Sequence, residues 1–159
     1  MQPPTNRMDR LNYIGHATTL LRLGGVTILT DPMLRGWLGP LKRQGPEPDP
    51  EVPRQADLVL ISHLHWDHLD LPSLRRVPSS TPVVAPRGAS RWVRKGGAEQ
   101  IMEMAVGDSL ELSGLELTAV RAEHNGYRDR KRGVPIDPLG YLIRSRDLTV
   151  YFAGDTDLF

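Results

Sequence analysis

The chain has 159 residues, 39% of them hydrophobic and 25% charged, a balance that fits one soluble globular domain and calls for no second. A formal net charge of +1 supplies no global field for nucleic acid or an anionic membrane, so no nucleic-acid partner is expected. The absence of cysteine excludes disulfides and thiolate ligands; with no signal-like N-terminus and no apolar run near ~20 residues, no transmembrane segment is expected and the expected location is cytoplasmic.

From Leu11 to Thr30 the pattern reads strand, short break, strand, strand, with Gly24-Gly25 as a two-residue hairpin turn. His16 lies in a Gly-His-Ala-Thr turn before that hairpin, and Asp31 ends the last strand ahead of Pro32. Each is as readily a structural residue as a functional one. Residues 32 to 53 hold six of the fourteen prolines, which excludes a helix or central strand and predicts a long surface loop. Its Met33, Leu34, Trp37, Leu38 and Leu41 either pack on the sheet or line a pocket for an acyl chain or hydrophobic leaving group.

Leu58 to Ile61 has the length and branching of a strand buried on both faces, and it runs directly into His63, His65, Asp67 and His68. In an extended segment His63 and His65 project to the same side. A turn after Trp66 would aim Asp67 and His68 at a neighbouring position, so one loop can feed two ions. Imidazole and carboxylate suit zinc, iron or manganese, and gathering three imidazoles and a carboxylate without a cation is costly.

A short helix is predicted from Leu69 to Arg76 with Pro72 in its first turn, then a strand at Val83 to Ala85 and a helix from Arg87 to Lys95 stopped by Gly96-Gly97. Ile101 to Met104, Ser109 to Leu112 and Leu115 to Arg121 read as strands joined by hairpins at Gly107-Asp108 and Ser113-Gly114. His124 follows at a strand end beside a turn, either as a solvated loop histidine or, if a first metal needs a third imidazole, as its source unless His16 supplies it. Arg128, Arg130, Lys131 and Arg132 form a basic run that is either a solvated face or a rim for an anionic substrate. Gly140 to Arg144 and Leu148 to Ala153 are the last strands, the second delivering Gly154-Asp155-Thr156.

His63-x-His65-x-Asp67-His68 after an apolar strand resembles the signature of the metallo-beta-lactamase-fold hydrolases. Gly15-His16-Ala17-Thr18, Ile28-Leu29-Thr30-Asp31-Pro32, His124 and Tyr151-Phe152-Ala153-Gly154-Asp155-Thr156 fit in the same order. The set is similar to the branch that holds N-acylphosphatidylethanolamine-hydrolysing phospholipase D and ascorbate-6-phosphate lactonase. This resemblance implies an α+β fold, the metallo-beta-lactamase-like αββα sandwich, with the site along the edge where two sheets meet. It implies that His63, His65 and His124 hold one metal, that Asp67 and His68 contribute to a second, and that Asp155 bridges them. Asp31 would support a ligand histidine from behind, His16 would line the mouth, and Asp67 would act catalytically by orienting the nucleophile or moving its proton.

The implied activity is hydrolysis of a phosphodiester or a lactone or ester by a metal-activated hydroxide. Two divalent ions are implied, zinc first and manganese or iron next, with a small-molecule or lipid-like anionic substrate. Oxygen-reducing diiron proteins of this fold place a glutamate where His65 stands. The family pattern also carries one more histidine than this sequence holds. Residues 1–159 are therefore expected to be a single domain incomplete at its C-terminus and prone to self-association, and the alternative reading is a truncated, non-catalytic metal- or ligand-binding module.

Overall fold

The computed structural model describes residues 8–128 and 135–158. The chain opens with β1 (Arg10–Gly15), β2 (Thr18–Leu23) and β3 (Val26–Thr30), an antiparallel meander. Gly24 and Gly25 turn β2 into β3 with φ of +57° and +88°, values that a side chain would resist in both positions of a two-residue hairpin. In the proline-rich stretch only two-residue strands form, β4 (Trp37–Leu38) and β5 (Leu41–Lys42), followed by a 3-10 turn at Val52–Gln55. This small hairpin stands apart from the larger sheets.

The apolar run becomes β6 (Leu58–Leu60), parallel to β3. Successive side chains of a strand point to opposite faces. Leu58 and Leu60 accordingly enter one core cluster, while Val59 and Ile61 enter another. Helix α1 (Leu71–Leu74) is shorter than expected because residues 65 to 69 are spent on a separate turn, in which Leu69 N–H donates to the His65 carbonyl at 2.9 Å. Asp70 caps α1 through Ser73 N–H at 3.0 Å. Next come β7 (Val83–Pro86), α2 (Ser90–Lys95) and β8 (Ile101–Met104), which complete a six-stranded sheet in the order β1-β2-β3-β6-β7-β8.

The second sheet consists of β9 (Ser109–Leu112), β10 (Leu115–Arg121), β11 (Leu139–Arg144) and β12 (Thr149–Phe152), ordered β12-β11-β10-β9. The hairpin expected at Gly107-Asp108 is corrected here. β8 pairs in parallel with β7 of the first sheet, and β9 pairs with β10 of the second. The turn at Gly107-Asp108 carries the chain between sheets. Its geometry suits a corner, with Gly107 N–H donating to the Ala119 carbonyl and Ala119 N–H to the Asp108 carbonyl, each at 2.9 Å. The tight turn at Ser113-Gly114 is a true hairpin between β9 and β10.

Two cores result. One lies between the sheets, where Leu23, Ile28, Leu58 and Leu60 meet Leu115, Leu117, Tyr141 and Ile143. The other lies on the outer face of the six-stranded sheet, where Leu29, Val59, Ile61 and Val83 meet Leu74 and Val93 of the helices. The architecture is an α+β sandwich, and among the described residues both α-helices cover the first sheet. Tyr141 reaches across the inter-sheet core to donate its hydroxyl to the Ile61 carbonyl at 2.8 Å, and Leu139 N–H donates to the Ser62 carbonyl at 2.9 Å. Both contacts fall where β6 leaves its sheet. No helix is long and apolar enough to cross a membrane among the described residues.

Candidate metal centre

The site assembles at the carboxyl end of β6, where the chain exits between two cores and must satisfy its polar groups locally. Asp31, at the end of the neighbouring β3, is fully buried and has φ +32°. A non-glycine residue there is uncommon, and aspartate is among those that tolerate it. One of its oxygens accepts Ser62 N–H at 2.7 Å; the other accepts the Ser62 hydroxyl at 2.5 Å and faces His68 Nδ1 at 2.7 Å.

These contacts assign the ring tautomers. The single Ser62 hydroxyl proton goes to Asp31, so His63 Nδ1, 2.9 Å from that hydroxyl oxygen, must donate to it. The lone pair of His63 is thereby left on Nε2. By the same reasoning His68 donates from Nδ1 to Asp31 and turns Nε2 forward. Burial, followed by the neighbouring imidazoles of His68, His65, His124 and His16, pushes His63 down to about 2, so it is neutral in any ordinary buffer. Burial and His124 also lower His65. Burial alone would lower His68, but the hydrogen bond and charge of Asp31, with Asp155 and Asp67 behind them, raise it. Burial raises the Asp31 carboxyl against the opposing pull of His68 and Ser62.

His63 Nε2 and His124 Nε2 each lie 3.0 Å from His65 Nδ1. One proton can bridge only one such pair, whereas two nitrogens on a single tetrahedral ion, each bonded at 2.0–2.1 Å, stand about 3.3 Å apart. The donor set therefore fits a divalent cation. Beside it, His16 Nε2 lies 2.8 Å from Asp67 Oδ2, and His68 Nε2 is buried without a hydrogen-bond partner among the described residues. That nitrogen faces Asp155 Oδ2 at 3.2 Å and Asp67 Oδ2 at 3.8 Å. Asp155 Oδ2 also lies 3.9 Å from His124 Nε2, so this carboxylate stands between the two groups. His63, His65 and His124 form one group, and His16 gathers with Asp67 and His68 in the other.

Two backbone features make room for this arrangement. His16 has φ +55°, a strained conformation that turns its ring toward Asp67. Gly154, with φ +60°, passes so close to Ser62 that an added Cβ would sit 2.6 Å from the serine Cβ. Only glycine lets Asp155 approach.

The sequence does not single out Ser62, since a serine beside a histidine carries no specific signal. The rim role expected for Arg128 is corrected. Its side chain is buried, with Nη1 donating to the carbonyls of Leu64 at 2.7 Å and Leu69 at 3.1 Å, so it faces the protein and not a substrate. Arg130, Lys131 and Arg132 lie outside the described residues.

A cleft of about 530 Å³ opens from His16 and Asp67 toward the proline-rich segment, walled by Tyr13, Met33, Trp37, Leu38 and Leu41. Leu34 instead packs into the core beneath α1. Arg43 braces the wall, donating to the carbonyls of Ile14, Met33 and Pro46.

The family model described as "Beta-lactamase superfamily domain" matches residues 26–159. A metal-dependent hydrolase of Methanopyrus kandleri is 34% identical over 153 residues, which cover 94% of this chain and 63% of the relative. N-acyl-phosphatidylethanolamine-hydrolyzing phospholipase D 1 of Caenorhabditis elegans is 28% identical, over 91% of this chain and 46% of that protein. Among solved structures, CmlA, a diiron beta-hydroxylase from Streptomyces venezuelae, superimposes with a TM-score of 0.70 at 29% identity, over 97% of this chain and 31% of that one. The chain thus spans less than two thirds of the length of each of these.

Proposed function

The chain belongs to the beta-lactamase superfamily, and from that premise we propose that the protein is a metal-dependent hydrolase of small, anionic or lipid-like substrates. The observation that carries this reading is the convergence of His63 Nε2, His65 Nδ1 and His124 Nε2 with no proton able to satisfy all three. These nitrogens would hold one cation, and His68 Nε2 with Asp67 and His16 would hold or border a second, with Asp155 shared between them. Divalent cations bound there supply Lewis acidity, lowering the pKa of water from about 15.7 toward ~7. Zinc suits the all-nitrogen-and-oxygen donor set, and manganese or iron suits it as well.

The remaining work falls to the chain. Asp67, held by His16 at 2.8 Å and open to the cleft, orients the attacking water and takes its proton. The cleft wall of Trp37, Leu38 and Leu41 takes the apolar part of the substrate, with Lys42 at its edge for an anionic group. A phosphodiester or a lactone or ester fits this arrangement.

A second reading is an iron-dependent oxidation, favoured by the likeness to a diiron hydroxylase; a third is a metal-binding module without turnover. Metal analysis of the purified protein, followed by assays of a chromogenic phosphodiester and a simple lactone with and without chelator, separates the three. Chelator-sensitive hydrolysis that returns with zinc supports the hydrolase. Bound metal with no hydrolysis sinks it, and oxygen consumption with iron alone would favour the oxidation.

A further inference from the structure

Arg128 combines three features that a solvated basic residue lacks. The residue is only 7% exposed, its guanidinium carbon stands 4.3 Å from the Trp66 ring and 5.1 Å from the Trp92 ring, and one of its nitrogens binds two backbone carbonyls. The two carbonyls are telling. Leu64 separates His63 from His65, so its carbonyl sets the peptide plane between two of the three converging imidazoles. Leu69 closes the turn that starts at the His65 carbonyl and contains Asp67 and His68.

Arg128 also sits four residues beyond His124, which supplies the third imidazole from a different segment. The intervening chain is itself anchored. Ile136 N–H donates to the Gly126 carbonyl at 3.0 Å, and Gly126 is packed so tightly on Ile136 that no side chain fits there.

We infer that Arg128 is a positioning residue that locks the His124 segment to both ends of the His63-to-His68 loop and so holds the three-imidazole cluster in its cation-binding shape. The inference rests on the reading of that cluster as a cation site. A planar guanidinium suits the role because it can pack over two indole rings while still offering N–H groups along its edge. Lysine would keep the charge but present a point donor in place of a plane.

The test titrates the metal-stripped chain with cobalt(II), read by calorimetry and by the visible absorption of the bound ion. Wild type is compared with Arg128→Gln, Arg128→Lys and Trp92→Leu, the last of which removes one wall of the slot from α2 without touching a ligand. Arg128→Gln should raise the Kd for cobalt about 10-fold or more, the scale of loss found when groups that orient ligands are removed, and should alter the visible band. Arg128→Lys should recover part of the loss, and Trp92→Leu should show a smaller one. A purely structural role would lower the melting temperature of the metal-free variants yet leave Kd and spectrum at wild-type values, and that result overturns the inference. If Arg128→Gln does not fold, unchanged Kd values in both other variants overturn it equally. Failure of wild type to bind cobalt would instead remove the cation site itself, which the wild-type titration shows separately.

Discussion

Replacing Asp31 by asparagine tests how far the buried hydrogen-bond relay controls cation binding. The backbone should survive, because asparagine tolerates the positive φ of +32° found there. The polar contacts should not. The aspartate accepts three hydrogen bonds, from Ser62 N–H, the Ser62 hydroxyl and His68 Nδ1. An asparagine that keeps its oxygen on Ser62 N–H must present its amide hydrogens to Ser62 Oγ and His68 Nδ1, reversing both bonds. His68 then carries its proton on Nε2, the atom that would have to meet a cation beside Asp67 and Asp155.

The expected loss is 10- to 100-fold in affinity, about 1.4 to 2.7 kcal/mol, at the cation position served by His68. Asp31 reaches His63 through the Ser62 hydroxyl, which can rotate, so the three-imidazole position should change far less. Competition titration against a chromophoric chelator, resolving two binding steps, measures both. A wild type with two steps and a variant with one step weakened is the expected result. Equal affinities at both steps in the two proteins would refute the relay, and equal loss at both would mean that Asp31 acts through the fold as a whole.

Other outcomes follow from single contacts. His65→Ala should lose the metal of the three-imidazole group, whereas Asp67→Asn should keep that metal and lose activity; metal analysis beside a turnover assay checks both. Gly154→Ala should destabilise by about 1–2 kcal/mol from the left-handed φ alone, and more from the contact with Ser62, read as a lower urea midpoint. Tyr141→Phe leaves the buried Ile61 carbonyl without its 2.8 Å partner and should cost about 1–3 kcal/mol in urea unfolding at unchanged m value. Exhaustive chelation should lower the melting temperature, and zinc should restore it, because a ligand bound only by the folded state stabilises that state.

Much of this protein is decided by local pattern. An apolar run of strand length with both parities apolar can only be covered on both faces, so residues 58 to 61 belonged in the middle of a sheet before any partner was known. Paired glycines located the turn between β2 and β3, and the spacing of His63 and His65 put two imidazoles on one side of an extended chain. What sequence leaves open is which surfaces meet. The turn signal at Gly107-Asp108 is real, yet a turn states only that the chain changes direction, and the partners of β8 and β9 lie in different sheets. Arg128 reads as one charge in a basic run, because its neighbours in space, Trp66, Trp92 and two carbonyls, are distant in sequence. Ser62 is mute for the same reason: its meaning comes from Asp31, thirty-one residues earlier and just past the end of a neighbouring strand. Periodicity and turn chemistry act between residues a few positions apart, whereas the orientation of each imidazole is set by hydrogen bonds that exist only once β3, β6 and the second sheet have packed.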